Sequence, residues 1–82
     1  MSDLARTPAQ IGAVIRRQRK RLGWTQTQLG QRAGLRQETI SLIENGHPAA
    51  RLDTLLDVLA VLDLEFNILS RTRGMDPKEL IS

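Results

Sequence analysis

Between Gly23 and Gly46 the chain places helix-start and helix-stop signals so close together that only short helices separated by tight turns can form. Thr25 with Gln28 three residues on is a capping box, which predicts a helix start. Leu29 and Ala33 face inward from it, and Gly34 suits the left-handed position that ends a helix. A second short helix is predicted from about Gln37 to Glu44, with Ile40 and Ile43 as its inward pair and Asn45-Gly46 as its stop. Gln37, Glu38, Ser41 and Leu42 lie off that inward stripe. Two short helices joined by a glycine turn, the second polar on its outer side, present a rigid rod suited to the major groove of DNA.

The flanking segments supply the walls that such a pair needs. Thr7-Pro8 reads as a cap followed by proline at the first helical position. Ile11, Val14, Ile15 and Leu22 recur at helical spacing and mark a buried stripe, and Gly23 ends that helix. Trp24, the one tryptophan, is expected to pack into the core as a staple. After the loop His47-Pro48-Ala49-Ala50, a fourth helix begins near Leu52 and runs through Leu55, Leu56, Leu59 and Leu62, with Asp53 and Asp57 outward. Leu64-Glu65-Phe66-Asn67-Ile68 alternates apolar and polar residues, the period of a strand. A helical reading of 64–69 stays open, because Leu62, Phe66 and Leu69 also fall on one helical face. As a strand the segment has no second strand in this chain, so its backbone groups would be satisfied by a second copy, with Leu64, Phe66 and Ile68 forming a dimer clasp. Residues 1–6 and 71–82 read as flexible ends around a domain at 7–70, with one short helical turn starting at Asp76-Pro77-Lys78-Glu79.

Composition narrows the function classes. Eighty-two residues suit one small domain, and domains of that size often gain stability by dimerising. The absence of cysteine removes disulfides and thiolate metal sites, and no apolar run approaches membrane-spanning length, so the chain is expected to remain in the cytosol. Charge is unevenly spread: residues 1–46 hold eight Lys/Arg against three Asp/Glu, whereas residues 47–82 hold four against six. A basic front half suits a polyanion-facing side, although a solvated helix face would give the same pattern. No catalytic grouping, glycine-rich phosphate loop, metal-ligand spacing or cofactor site emerges, so an enzyme is not expected.

Phosphate contacts position a protein on DNA, and base-edge contacts supply sequence choice. The second helix offers its N-terminal amides with Thr25, Gln26 and Thr27 to a phosphate. Gln37 can make a bidentate contact to adenine, and Arg36 either a phosphate or a guanine contact. Ser41 follows one turn on. Leu42 suits a thymine methyl or else a neighbouring helix. Glu38 can accept from cytosine, but its better role is to stabilise the start of its helix. Glu44 lies at the end of that helix where the dipole disfavours a negative charge, so it calls for a cationic partner. Arg16, Arg17, Arg19, Lys20 and Arg21 crowd the first helix and cannot all face one way. His47 reads as an exposed loop residue or a phosphate neighbour.

Gly23-Trp24-Thr25-Gln26, Leu29, Ala33-Gly34-Leu35, Gln37, Thr39-Ile40-Ser41 and Ile43-Glu44-Asn45-Gly46 together resemble the Cro/C1-type (XRE) helix-turn-helix family over about residues 8–63. The resemblance implies a compact four- to five-helix lambda-repressor-like all-α domain with the helix at 37–44 in the major groove. It further implies that Gln26 holds a phosphate and braces Gln37, and that Arg19 pairs with Glu44. The chain departs from the family pattern at Arg36, where a short capping residue is common, and at Leu42, where polar residues are common. The strand-like segment at 64–69 looks like HipB-type antitoxins, in which a strand pairs across the dimer. That likeness implies a repressor on a palindromic double-stranded operator, acting as a homodimer, with a HipA-type kinase toxin as a partner. A phage-type or restriction-modification controller without a toxin is the alternative.

Overall fold

Local side-chain chemistry marks the starts of the first two helices of this protein, and one backbone motif marks the ends of all its described helices. The computed structural model describes residues 4–71, and among them are four helices: α1 (Pro8–Arg21), α2 (Gln26–Ala33), α3 (Gln37–Glu44) and α4 (Leu52–Val61). Thr7 caps α1 by accepting the Gln10 N–H at 3.1 Å, with Pro8 in the first turn. The Thr25 hydroxyl accepts the Gln28 N–H at 3.1 Å while the Gln28 side chain accepts the Thr25 N–H at 2.8 Å, which completes the capping box of α2. α3 starts at Arg36 with no side-chain cap.

All four helices end in one way. Trp24, Leu35, His47 and Leu64 each donate a backbone N–H to the carbonyl five residues back, at Arg19, Gly30, Leu42 and Leu59. The residue before each donor is left-handed: Gly23, Gly34, Gly46 and Asp63. This is the Schellman closure, which satisfies otherwise orphaned carbonyls and folds the following residue back on the helix. Trp24, Leu35 and Leu64 use it to pack against the core. Asp63, at φ 60°, is the one non-glycine among the four.

The core is made of Ile15 from α1, Leu29 from α2, Ile40 and Ile43 from α3, and Val58, Leu59 and Leu62 around α4. Burial of each such side chain contributes about 1.5–3 kcal/mol of gross transfer free energy. Gln18 ties α1 to the far end of α4 by donating its Nε2 to the Leu62 carbonyl at 3.1 Å. No helix among the described residues is long and apolar enough to cross a membrane.

Three expectations need revision. Leu22 is not on the buried stripe of α1; it is the C-cap and is exposed, because the helix stops before the stripe returns to the core. Leu56 lies outside with Leu52, on a face of α4 turned away from the stripe Leu55, Val58, Leu59 and Leu62. Residues 64–69 are neither helix nor strand, and there is no strand among the described residues, so no pairing is formed within one chain. The helical turn expected at Asp76-Pro77-Lys78-Glu79, and all of the 71–82 tail beyond Arg71, lie outside the described residues, as do residues 1–3 of the N-terminal segment.

Gly12 fixes how closely α1 can approach α3. A Cβ there would overlap the Ile43 carbonyl oxygen and lie 2.6 Å from that of Glu44, both backbone atoms. In an ordinary helix interior, alanine is favoured over glycine by about 0.5–1 kcal/mol. Here the sign should reverse: Gly12→Ala is expected to destabilise by about 1–3 kcal/mol, as overpacking does. A thermal melt checks this, and a higher melting temperature would mean that the two helices are not in close register.

Candidate nucleic-acid interface

The turn between α2 and α3 sets the angle of the outer helix. Gly34, at φ 71°, occupies a backbone conformation that costs other residues about 1 kcal/mol or more. Ile40 and Ile43 pin α3 inward, which leaves Gln37, Glu38 and Leu42 exposed and Thr39 and Ser41 half-buried. Arg36 is exposed at the start of the helix, and Glu38 lies in its first turn. On α2 and its cap, Thr25 and Thr27 are exposed and Gln26 is half-buried. The structure thus brings Thr25, Gln26, Thr27, Gln37 and Ser41 onto adjoining parts of two packed helices.

A polar chain runs from the core to that surface. Arg19 and Glu44 are 8% and 5% exposed. Their contact is bidentate: Arg19 Nε donates to Glu44 Oε2 at 2.6 Å, and its second nitrogen, Nη2, donates to Oε1 at 3.0 Å. Arg19 Nη1 also donates to the Trp24 carbonyl at 2.8 Å, so the ion pair braces the turn before α2. Glu44 Oε1 accepts further from Gln26 Nε2 at 3.2 Å and from the half-exposed Arg16 Nε at 3.4 Å. Gln26 Oε1 in turn accepts from Gln37 Nε2 at 2.6 Å. No buried side-chain nitrogen or oxygen among the described residues lacks a partner.

Burial pushes the Glu44 carboxyl up, but hydrogen bonds from Arg19 and Gln26, the Arg19 charge and the Arg16 bond together outweigh it, and its pKa lies below the ordinary value. Replacing a buried pair by well-packed apolar groups is often neutral, whereas removing one partner costs about 3–5 kcal/mol. The pair therefore matters chiefly as a constraint on position.

The remaining cations and the oddities fall into place around this chain. Arg32 lies over the Trp24 ring, 4.3 Å from its centroid, a cation–π contact of about 0.5–1 kcal/mol at an exposed site. Lys20 and Arg21 are exposed at the end of α1, where positive charge also favours the helix dipole. Leu42, 51% exposed, forms one wall of an open groove with Thr39, Ala49, Ala50 and Thr54 rather than burying itself on another helix. His47 is exposed, and its Nδ1 accepts the Ala49 N–H at 3.2 Å, which shapes the loop. Sequence reasoning missed Gly12, Gln18 and the Gln26–Glu44 bond. A glycine inside a well-capped helix was the signal available for the first.

Two short packed helices, α2 and α3, joined by a glycine turn, the second with Gln37 and Glu38 exposed, define a helix-turn-helix unit. The chain belongs to the helix-turn-helix family, whose pattern matches residues 15–69. Within it the chain is a DNA-binding regulator similar to antitoxin HipB of Escherichia coli K12, with 32% identity over 62 residues, covering 76% of this chain and 70% of that protein. It is also 36% identical over 70 residues to the uncharacterized HTH-type transcriptional regulator y4mF of Sinorhizobium fredii, covering 85% of this chain and 92% of that one. Two solved structures share the fold at 28% identity: a HipB–O4 20mer complex, with a TM-score of 0.80, and a HipA–HipB–O2–O3 complex, with a TM-score of 0.79. Each covers 87% of this chain and is itself covered in full.

The carboxylate in the network gives a signed pH dependence. Because the folded pKa of Glu44 lies below the ordinary 4.5, its contribution to stability is complete well above that value and is lost as pH falls through the lowered one. Denaturant melts between about pH 6 and pH 3 should therefore show stability falling on the acid side. Arg19→Met combined with Glu44→Met should flatten that fall. An equal acid slope in the paired variant would place the linkage on other carboxyls.

Proposed function

We propose that this protein is a sequence-specific repressor, dimeric on a palindromic double-stranded operator, and the antitoxin of a HipA/HipB-type toxin–antitoxin pair in the cytoplasm. The observation that carries the DNA-binding part is the exposed outer edge of α3, with Gln37 held out from its first turn by Gln26. Gln37 suits a bidentate base contact, and Ser41 and Leu42 extend the reading edge along the same helix. Thr25, Thr27 and Arg36, which are exposed, and the half-buried Gln26 suit contacts to phosphates. Glu38 supports the helix start through the dipole. No catalytic role enters this reading.

Dimerisation is supported by apolar surface that one chain leaves uncovered. Leu52 and Leu56 on α4, and Phe66, Ile68 and Leu69 beyond it, are all exposed, Ile68 by 92%. The backbone N–H groups of residues 65–69 have no backbone acceptor among the described residues. A second copy that paired with this segment would satisfy those groups and cover Phe66 and Ile68. Leu64 contributes differently, since its Schellman bond to Leu59 and its contact with the core commit it to its own chain. The domain is read as residues 7–70, with its clasp at 64–69, which Leu64 anchors to the core. Two reading helices related by a twofold axis would lie about 34 Å apart, one helical turn of DNA.

The toxin partner rests on likeness: HipB, at 32% identity, is an antitoxin, and one solved relative contains HipA with HipB. A regulator without a toxin is favoured by the Sinorhizobium fredii relative, which is described only as a transcriptional regulator and is covered almost end to end. Co-purification with a kinase-like neighbour separates the two.

On an operator selected from random duplexes, Gln37→Ala is expected to cost about 1–3 kcal/mol, with a much smaller loss on unrelated DNA. Equal losses on both would exclude direct reading by Gln37. Sedimentation should give a dimer for the native chain and a monomer for Phe66→Asp with Ile68→Asp. A native monomer, or an unaffected dimer in the variant, would remove the clasp.

A further inference from the structure

We propose that Glu44 sets the donor–acceptor polarity with which Gln37 meets a base, acting through Gln26 as a positioning residue. The inference rests on the base-reading role of Gln37 proposed above. A glutamine amide can turn over and exchange its oxygen and nitrogen, and the turned group then offers a base the reverse pattern. An ionised carboxylate has no such freedom, because it only accepts. Glu44 is held ionised by Arg19, with Arg16 beside it. The part of Gln26 that meets Glu44 Oε1 at 3.2 Å must therefore be its amino group. Gln26 then turns its oxygen to Gln37, and only the Gln37 amino group can meet it at 2.6 Å. Turning Gln37 over would set two oxygens against each other at that distance.

The outcome at the surface is specific. Gln37 is left with its oxygen and one N–H for the groove. An acceptor beside a donor matches the N6 amino group and N7 of adenine. A buried acid two contacts away thus selects one of the two faces that a free glutamine could offer. The second N–H of Gln26 meets no acceptor among the described residues and stays available for a phosphate.

Arg19→Met with Glu44→Met removes the acceptor-only anchor and replaces a buried pair by apolar side chains, a change that folds often tolerate. Selection from random duplexes, run beside the native chain and Gln37→Ala, reads base preference position by position. The native chain should favour adenine by about tenfold or more at one position per half-site, and Gln37→Ala should abolish that preference. In the paired variant the same preference should fall to about threefold or less, while preferences elsewhere persist. An unchanged adenine preference in the paired variant overturns the proposal and leaves base reading standing. A Gln37-dependent preference for another base overturns it too. A native chain with no position sensitive to Gln37→Ala overturns the base-reading role itself, and the proposal with it. If circular dichroism shows the paired variant unfolded, Glu44→Gln keeps the size of the side chain, leaves Gln26 in place and removes the acceptor-only character that the proposal depends on. Loss of adenine preference then supports the proposal, and uniform weakening on all sequences with the preference intact overturns it.

Discussion

A carboxylate with no exposed side-chain surface lies against a guanidinium where α1 meets the end of α3, and the geometry of the proposed reading surface follows from that contact. Taking both charges out of water is expensive, so the pair is weak as a source of stability and strong as a restriction on how α1 and α3 may sit. Arg19 extends the restriction to the turn before α2 through the Trp24 carbonyl, and Glu44 extends it to the first residue of α2 through Gln26. Three helices are thereby held to one polar centre. Gly12 lets α1 come close enough for the contact to form, since any side chain there would strike the α3 backbone.

Helix ends contribute the rest of the rigidity. One closing motif, used four times, keeps the connections short and turns Trp24, Leu35 and Leu64 back onto the core. Short, closed connections leave α3 little freedom to rotate, and a helix that reads base edges needs that fixity, because misplacement by an ångström loses a bidentate contact. Asp63 is the exception in the set, a left-handed residue where glycine would carry no strain. It stands at the junction between the domain and the exposed segment that the proposed dimer uses.

Much of this was legible in the residues themselves. Thr7, Thr25, Gln28, Gly23, Gly34 and Gly46 announce helix boundaries through chemistry that acts within four or five residues, and the stop of α3 was legible from Asn45-Gly46, whereas its start carries no side-chain cap. The need of Glu44 for a cation was also legible, since a carboxylate at a helix C-terminus opposes the dipole. Its choice of Arg19 came from family resemblance, because five neighbouring cations offered no local way to choose. Leu22 and Leu56 were misplaced for a related reason: an apolar residue on a helix reveals burial only relative to where the helix stops and which neighbour it meets. The segment at 64–69 is legible as alternation but not as structure, because alternation fixes a strand only where a second strand pairs with it, and no strand forms among the described residues. The Gln26–Glu44 bond was missed since it joins two polar residues eighteen positions apart, with no periodicity to link them.

Whether the edge of α3 faces a duplex can be tested directly by nuclear magnetic resonance of the full chain, with backbone and glutamine side-chain amides followed as DNA is added at low salt. Shifts should concentrate on Gln26, Gln37 and Ser41, with the side-chain amides of Gln26 and Gln37 moving together, while Asp53 and Asp57 on α4 stay still. Shifts centred on α4, or none anywhere along α3, would contradict the placement of the reading helix.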